Sequence, residues 1–459
     1  MSFDYLFTKV KRILLSLIFI TVITAIANNS NNIRFVNSEI AATPATYSQQ
    51  SNDSIVTRDA NNNIPYVGVN VQGLYVSLEG SRGSSQSINR VHFPTNYYDD
   101  SFRIISKAGM NHVRFIFYWE AYEKHPAEFI KELTTVAQTA DKYRLKVMYD
   151  NHQFHTSSWL DNKRGTGFPP SLFKNYPTLY PYNGGGSTEY PAAKVWWTNW
   201  WNRSVKDVGT GVDGWTLQAN FLKKIAGVVD SHPSTIGYEI LSEPQLHSTD
   251  QWGKIGTYNT FMVNQLRTQT HKTIAYSMNI PIDLKNSSIT PTNLAEMAPS
   301  NRTNVVFKIS VYAVPAEGNY QQKRLDLFIK AARLAGVPLY IGEWNNVRRV
   351  QVPITDQNQH LVNQTFTTSP QLSDISQEQA DLIVQKLKEI KVWGMAFWSW
   401  DYTYSPVPSF NLIKVLSDLR DLTGTIQTTK YFDILKNAYS TIYDNNIDIV
   451  NTTKRPMRS

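Results

Sequence analysis

Two glutamates carry the chemistry for which this chain is best equipped. Glu243 closes the run Gly237-Tyr238-Glu239-Ile240-Leu241-Ser242, just before Pro244, and Glu343 follows Leu339-Tyr340-Ile341-Gly342, just before Trp344. With a side-chain period of two, Glu343, Ile341 and Leu339 share one strand face, as do Glu243, Leu241 and Glu239. Should those faces line the mouth of a barrel, two carboxyl groups converge there. Cleavage of a glycosidic bond needs such a pair: one protonates the departing oxygen and the other attacks the anomeric carbon. A single strand-end glutamate would read as a solvated charge. Two of them, flanked by Pro, Gly and Trp, do not. Glu239 lies four residues earlier, about 13 Å further down its strand at ~3.3 Å per residue. It is expected inside the barrel, paired with a lumen Arg or Lys, as a structural residue.

The elements that would position these groups repeat along the chain. Strands are predicted over Tyr66–Gln72, His112–Phe117, Leu145–Asp150, Thr235–Leu241, Thr273–Asn279, Asn304–Ser310, Pro338–Gly342 and Gly394–Ser399. Apolar residues at three- and four-residue spacing predict helices over Asp99–Lys107, Pro126–Tyr143, Trp215–Val229, Asp250–Thr268, Gln322–Ala335 and Gln377–Lys391. Gly109 and Gly336 fall where a left-handed helix cap would sit. The helical signal over Thr292–Met297 is short and weak. Eight strands alternating with helices predict an α/β fold, a (β/α)8 TIM barrel with long βα-loop insertions, whose chemistry belongs at the C-terminal strand ends. A doubly wound open sheet is the runner-up, but no G-x-G-x-x-G or Walker sequence follows any strand.

The 459 residues hold 45 Lys+Arg against 37 Asp+Glu, a formal charge of +8. The first 27 residues carry a net +2 and the last nine a net +3, so residues 28–450 carry only +3. That balance, without a basic stripe, disfavours a nucleic-acid partner. Lys9, Lys11 and Arg12 precede an apolar run from Ile13 to Ala27, which predicts a cleaved secretory signal over 1–27. An uncleaved anchor is the alternative, and a bilayer contact is expected only in that case; the run falls short of the ~20 residues that a span needs. Residues 28–63 are rich in Asn, Ser, Ala and Thr and are expected as a disordered linker. The barrel is expected over 64–440, with a basic tail over 441–459. The mature protein is expected to be secreted and monomeric.

Further motifs accompany the two glutamates, in chain order. They are Gly68-Val69-Asn70, Val113-Arg114, Asp150-Asn151-His152, Tyr312 and Phe397-Trp398-Ser399-Trp400. Over roughly residues 64–440 the set resembles glycoside hydrolase family 5, the cellulase family of the clan A glycosidases. The resemblance implies that Glu343 is the nucleophile and Glu243 the acid/base of a retaining double displacement. It implies that Arg114 would hold Glu343 ionised, as a nearby guanidinium does for a carboxylate, and that Tyr312 would hydrogen-bond it. Glu243, with less positive charge nearby, would keep a proton to donate. His152 and Trp398 would line the sugar site beside the scissile bond. Ser242 and Trp344 are counted with these binding residues. Two positions depart from the family: Ser242 stands where it has Asn, and Ser310 where it usually has His. The Asn bonds the sugar's 2-hydroxyl, an interaction worth several kcal/mol in the transition state, and Ser is shorter. The departures leave open an altered glycan preference, a transglycosylase, or a catalytically impaired carbohydrate-binding barrel; another clan A family also stays open. The expected partner is a β-linked oligo- or polysaccharide, of the β-glucan or β-mannan type.

The remaining candidates are weaker. With no Cys, thiolate chemistry and Cys-ligated metals are excluded. His152 and His155 form an H-x-x-H without an evident third ligand, so no metal and no cofactor are expected. Trp196, Trp197, Trp200 and Trp201 cluster in the insertion after the third strand. Most of that cluster is expected to fold the insertion on itself, with one or two at most reaching substrate.

Overall fold

The predicted apolar runs lie side by side as parallel strands because each is buried on both faces, by the lumen on one side and by helices on the other. The computed structural model describes residues 65–73, 96–160, 165–176, 191–246, 251–278, 289–312, 320–345, 349–355, 361–368, 376–401, 411–413 and 426–444. The expected signal, linker and last fifteen residues lie outside them. The first half contains β1 (Tyr66–Gln72), α1 (Tyr97–Lys107), β2 (His112–Phe117), α2 (Trp119–Lys124), α3 (Pro126–Tyr143) and β3 (Lys146–Asn151). There follow α4 (Pro191–Trp201), α5 (Gly214–Val229), β4 (Thr235–Glu239), α6 (Trp252–Leu266), β5 (Thr273–Ser277) and α7 (Pro291–Glu296). The rest comprises β6 (Val305–Tyr312), α8 (Tyr320–Ala335), β7 (Leu339–Asn345), a hairpin of β8 (Arg349–Thr355) and β9 (Leu361–Thr368), α9 (Gln377–Glu389), β10 (Gly394–Phe397) and α10 (Lys430–Asp444).

Eight strands close into a parallel barrel in the order β1-β10-β7-β6-β5-β4-β3-β2, with β8 and β9 set apart as an antiparallel pair. The fold is the expected (β/α)8 barrel. Each helix turns one stripe to the strands; in α3 that stripe is Phe129, Leu133, Val136, Ala137 and Ala140. Helix starts follow local chemistry: Pro126 sits in the first turn of α3, and Ser376 with Gln379 forms a capping box on α9. Gly109 and Gly336 take the left-handed conformation anticipated for them, at φ 81° and 66°. Among the described residues no helix is long and apolar enough to cross a membrane.

The lumen is layered. Met148, Ala275, Val306, Tyr340 and Trp393 form an apolar floor. His112 joins it, its ring nitrogens 2.9 Å from the Lys146 carbonyl and 2.7 Å from the Tyr340 hydroxyl. A carbonyl only accepts, so Nδ1 carries the proton and Nε2 receives the tyrosine's. Burial, the largest influence, pulls His112 down to about 3. Charged groups occupy the layer above.

One register detail decides where the seventh strand's side chains go. Ile309 of β6 pairs with Ile341, but Ser310 pairs with Glu343, so Gly342 is an extra residue. The β10 side shows the same shift, Met395 opposite Ile341 and Phe397 opposite Trp344. The bulge breaks the alternation assumed from the sequence. Leu339 and Ile341 pack in the outer core between barrel and helices, while Tyr340 belongs to the floor and Glu343 meets the lumen cations. Leu241 likewise packs in the outer core rather than sharing a face with Glu239.

Candidate active site

Arg114, from the middle of β2, ties the lumen together. Its Nε donates to Glu239 Oε2 at 2.8 Å, and its Nη1 to Asn70 Oδ1 at 2.8 Å and Glu343 Oε1 at 3.0 Å. Nη2 lies 2.8 Å from both Asp150 Oδ2 and Glu239 Oε2, and donates to Ser242 Oγ at 3.1 Å. Burial lowers the guanidinium, but Asp150, Glu239 and Glu343 outweigh it and hold it well above its ordinary value. Arg114 is wholly buried, and its guanidinium nitrogens are engaged by Asn70, Asp150, Glu239, Ser242 and Glu343. Glu239 is the interior residue foreseen, paired to Arg114. Burial, with Asp150, raises it against the pull of Arg114 and Lys308.

Glu343 stands at the top of this network. Its Oε1 accepts from Arg114 and also from Lys308 Nζ, at 3.0 Å each. Lys308 lies on β6, fully buried, and its ammonium donates further to Ser310 Oγ at 3.0 Å and Ser242 Oγ at 3.1 Å. Both contacts to Glu343 are charge-assisted and fix its carboxylate in place. The two positions that depart from the family pattern therefore meet around one lysine. Ser242 is wholly buried, its oxygen engaged by two cations.

Glu243 is positioned differently. It follows the end of β4 by four residues and takes φ +46°, a conformation costing an L-residue about 1–3 kcal/mol. Its neighbours hold it there through the peptide groups. Gln153 Nε2 donates to the carbonyls of Ser242, at 3.1 Å, and Glu243, at 2.8 Å. The Glu243 N–H donates to Ser277 Oγ at 3.3 Å. The side chain is half-buried, and among the described residues no cation pairs with it. Gln153 is in turn fixed by Thr156, whose N–H donates to Gln153 Oε1 at 2.8 Å.

His152 and Trp398 stand together, rings nearly parallel with centroids 5.6 Å apart. His152 Nδ1 is 2.8 Å from Asp150 Oδ2, and Tyr118 stands edge-on to its ring at 5.7 Å. His155 is stacked on Phe154 at 4.1 Å, so the two histidines of the H-x-x-H have different ring neighbours. Tyr312 ends β6 opposite Asn345; its side chain is not among those described. Trp344 is a correction. The bulge that brings Glu343 inward sends Trp344 outward, where it is buried and donates to Tyr439 Oη at 3.1 Å, edge-on to Phe397. The tryptophan cluster also stays out of the cleft: Trp196, Trp197, Trp200 and Trp201 are all buried. Trp197 donates to Thr156 Oγ1 at 2.9 Å and Trp201 to the Gln245 carbonyl at 2.8 Å, bracing the loops that carry Gln153 and Glu243.

Sequence reasoning missed Lys308 and Gln153. Lys308 was legible in part: it shares the strand phase of Ser310, and a lumen cation was expected for Glu239. Gln153 gave no signal, since an amide that clamps carbonyls of a distant loop follows no spacing rule.

The family model for cellulase (glycosyl hydrolase family 5) matches residues 69–402. The endoglycoceramidase of Hydra vulgaris is 29% identical over 172 residues, covering 32% of this chain and 32% of that protein. The match thus spans about a third of that relative's length. Among solved structures, an endogalactoceramidase is 17% identical with a TM-score of 0.54, covering 74% of this chain and 71% of its own. Endo-glycoceramidase II from Rhodococcus sp. is 16% identical with a TM-score of 0.54, covering 81% and 78%. An endo-beta-1,4-glucanase from Xanthomonas axonopodis pv. citri is 14% identical with a TM-score of 0.51, covering 82% and 99%. At these identities the structural likeness is one of fold.

Proposed function

Because this chain belongs to glycosyl hydrolase family 5, we propose that it is an exported, retaining β-glycosidase with Glu343 as nucleophile and Glu243 as acid/base. The observation that carries the reading is the contrast between the two carboxyl groups: Glu343 bound by two cations, Glu243 half-buried and, among the described residues, with no cation paired to it. In the first step Glu343 attacks the anomeric carbon while Glu243 gives its proton to the glycosidic oxygen, and the protonated aglycone departs. The sugar is left as an ester of Glu343. In the second step Glu243, now a carboxylate, takes a proton from water as that water attacks the same carbon, and Glu343 leaves as a carboxylate onto its cations. Trp398 and His152 supply a flat wall for the sugar ring. The basic stretch before the apolar run Ile13–Ala27 supports export.

The substrate class is a β-linked sugar carried on a lipid of the glycosylceramide type, supported by the partial likeness to the Hydra vulgaris enzyme. A β-glucan is the second reading, supported by the cellulase family model. Incubation with lactosylceramide in detergent and, separately, with cellohexaose and mannohexaose distinguishes them. Release of free disaccharide and ceramide is expected, and the Glu343→Gln protein serves as the blank. Cleavage of cellohexaose alone would move the assignment to β-glucan. A protein that binds these sugars but turns over none would be a carbohydrate-binding barrel, the reading that Ser242 and Ser310 left open.

A further inference from the structure

Lys308 is buried among two carboxylates and two serines. A buried ammonium is tolerated only where its N–H groups and its charge are answered. Here its three protons have three acceptors at 3.0–3.1 Å, on Glu343, Ser310 and Ser242, and Glu239 Oε1 lies 3.6 Å away. The stem reaches this point by lying flat against Gly342: a Cβ there would fall 2.5 Å from Lys308 Cε and 2.7 Å from Cγ. The glycine that makes the bulge thus also makes room for the lysine. Serine ends at Oγ, and the ammonium occupies space that a longer polar side chain at position 242 or 310 would need. Two serines, one glycine and one lysine form a single device.

We propose that Lys308 is the positioning cation of Glu343: with Arg114 it fixes Oε1, and it stabilises the carboxylate each time it leaves the sugar. The proposal rests on the reading of Glu343 as nucleophile. Burial and Arg114 pull the lysine's own pKa down, but Glu239, Glu343 and Glu243 outweigh them and raise it, so the cation persists through any pH at which a glycosidase works. Interaction is reciprocal, so the charge that Glu343 lends to Lys308 is returned to Glu343. Among the described residues the charged groups that meet Glu343 are Arg114 from β2 and Lys308 from β6, with Glu239 of β4 bound to both cations and Asp150 of β3 bound to Arg114.

The test follows the Glu343 carboxyl directly, by 13C NMR on protein labelled at the glutamate carboxyl carbon, with the resonance assigned from Glu343→Gln. In Lys308→Gln, which keeps a donor and loses the charge, the Glu343 titration should move upward by about one pH unit or more. Lys308→Met should do the same. The acid limb of kcat/KM on 2,4-dinitrophenyl β-lactoside should move with it. Gly342→Ala keeps every charge but displaces the lysine stem, and decides the matter if neither Lys308 variant holds its fold; it too should raise the midpoint. An unmoved titration in the folded variants would overturn the proposal and leave Lys308 a packing residue. Turnover that survives in Glu343→Gln would instead overturn the nucleophile assignment, while the NMR shift would still report whether Lys308 acts on that carboxyl.

Discussion

Glu343 is held by its side chain and Glu243 by its backbone. Around Glu343 the barrel supplies charge: Arg114 and Lys308 meet on one carboxylate oxygen, and both are anchored by other strands. Around Glu243 it supplies peptide geometry: Gln153 grips two consecutive carbonyls and Ser277 receives the N–H. The difference fits the roles proposed for the two groups. A nucleophile begins and ends its work as an anion, so cations hold it without opposing the reaction. A general acid must begin with its proton, and a cation against its carboxyl would take that proton away. Positioning through neutral amides avoids the conflict, at the cost of a left-handed residue that the surrounding bonds must over-determine.

The first way to break this comparison is to remove the charged side. Glu343→Gln should lower kcat by about four orders of magnitude or more while leaving the thermal transition in place, as read by calorimetry beside the assay. Comparable activity would mean that the two-cation pocket is structural.

The second removes the clamp. Gln153→Ala should lower kcat by about 10–100-fold on a substrate with a poor leaving group, and far less on a dinitrophenyl glycoside, whose aglycone needs no proton. Equal losses on both would show that Gln153 serves the fold and not the acid.

The smallest effect is expected outside the cleft. Trp344→Phe should lose about 1 kcal/mol of stability with the hydrogen bond to Tyr439 and leave KM unchanged. A large rise in KM would return Trp344 to the sugar site, where the sequence had put it.

These contrasts also mark what was legible in the sequence. The runs that became β1 and β2 have the predicted bounds, because a parallel barrel strand buried on both faces declares itself by composition alone. Glu239 was correctly separated from Glu243 by distance along the strand. The period-two rule then failed at Gly342, since one extra residue turns every later side chain to the other face; that is why Trp344 was misplaced. The left-handed turn at Glu243 was equally hidden, because its peptide groups are held by Gln153 from the loop after β3 and by Ser277 at the end of β5. The four tryptophans of the insertion are packed against one another, as expected for most of them, and Trp197 and Trp201 brace the loops that carry Gln153 and Glu243. Helix α10 and the hairpin β8–β9 were not foreseen, although Tyr431, Leu435, Ala438 and Ile442 recur at helical spacing and Val350, Val352 and Ile354 alternate along β8.

The division of labour between the two glutamates is tested most directly by Glu243→Ala on 2,4-dinitrophenyl β-lactoside, with and without sodium azide. The variant should form the glycosyl-enzyme at nearly the wild-type rate, stall, and be rescued by azide with release of the β-glycosyl azide. A variant that neither stalls nor responds to azide, or one that yields the α-azide, would contradict it.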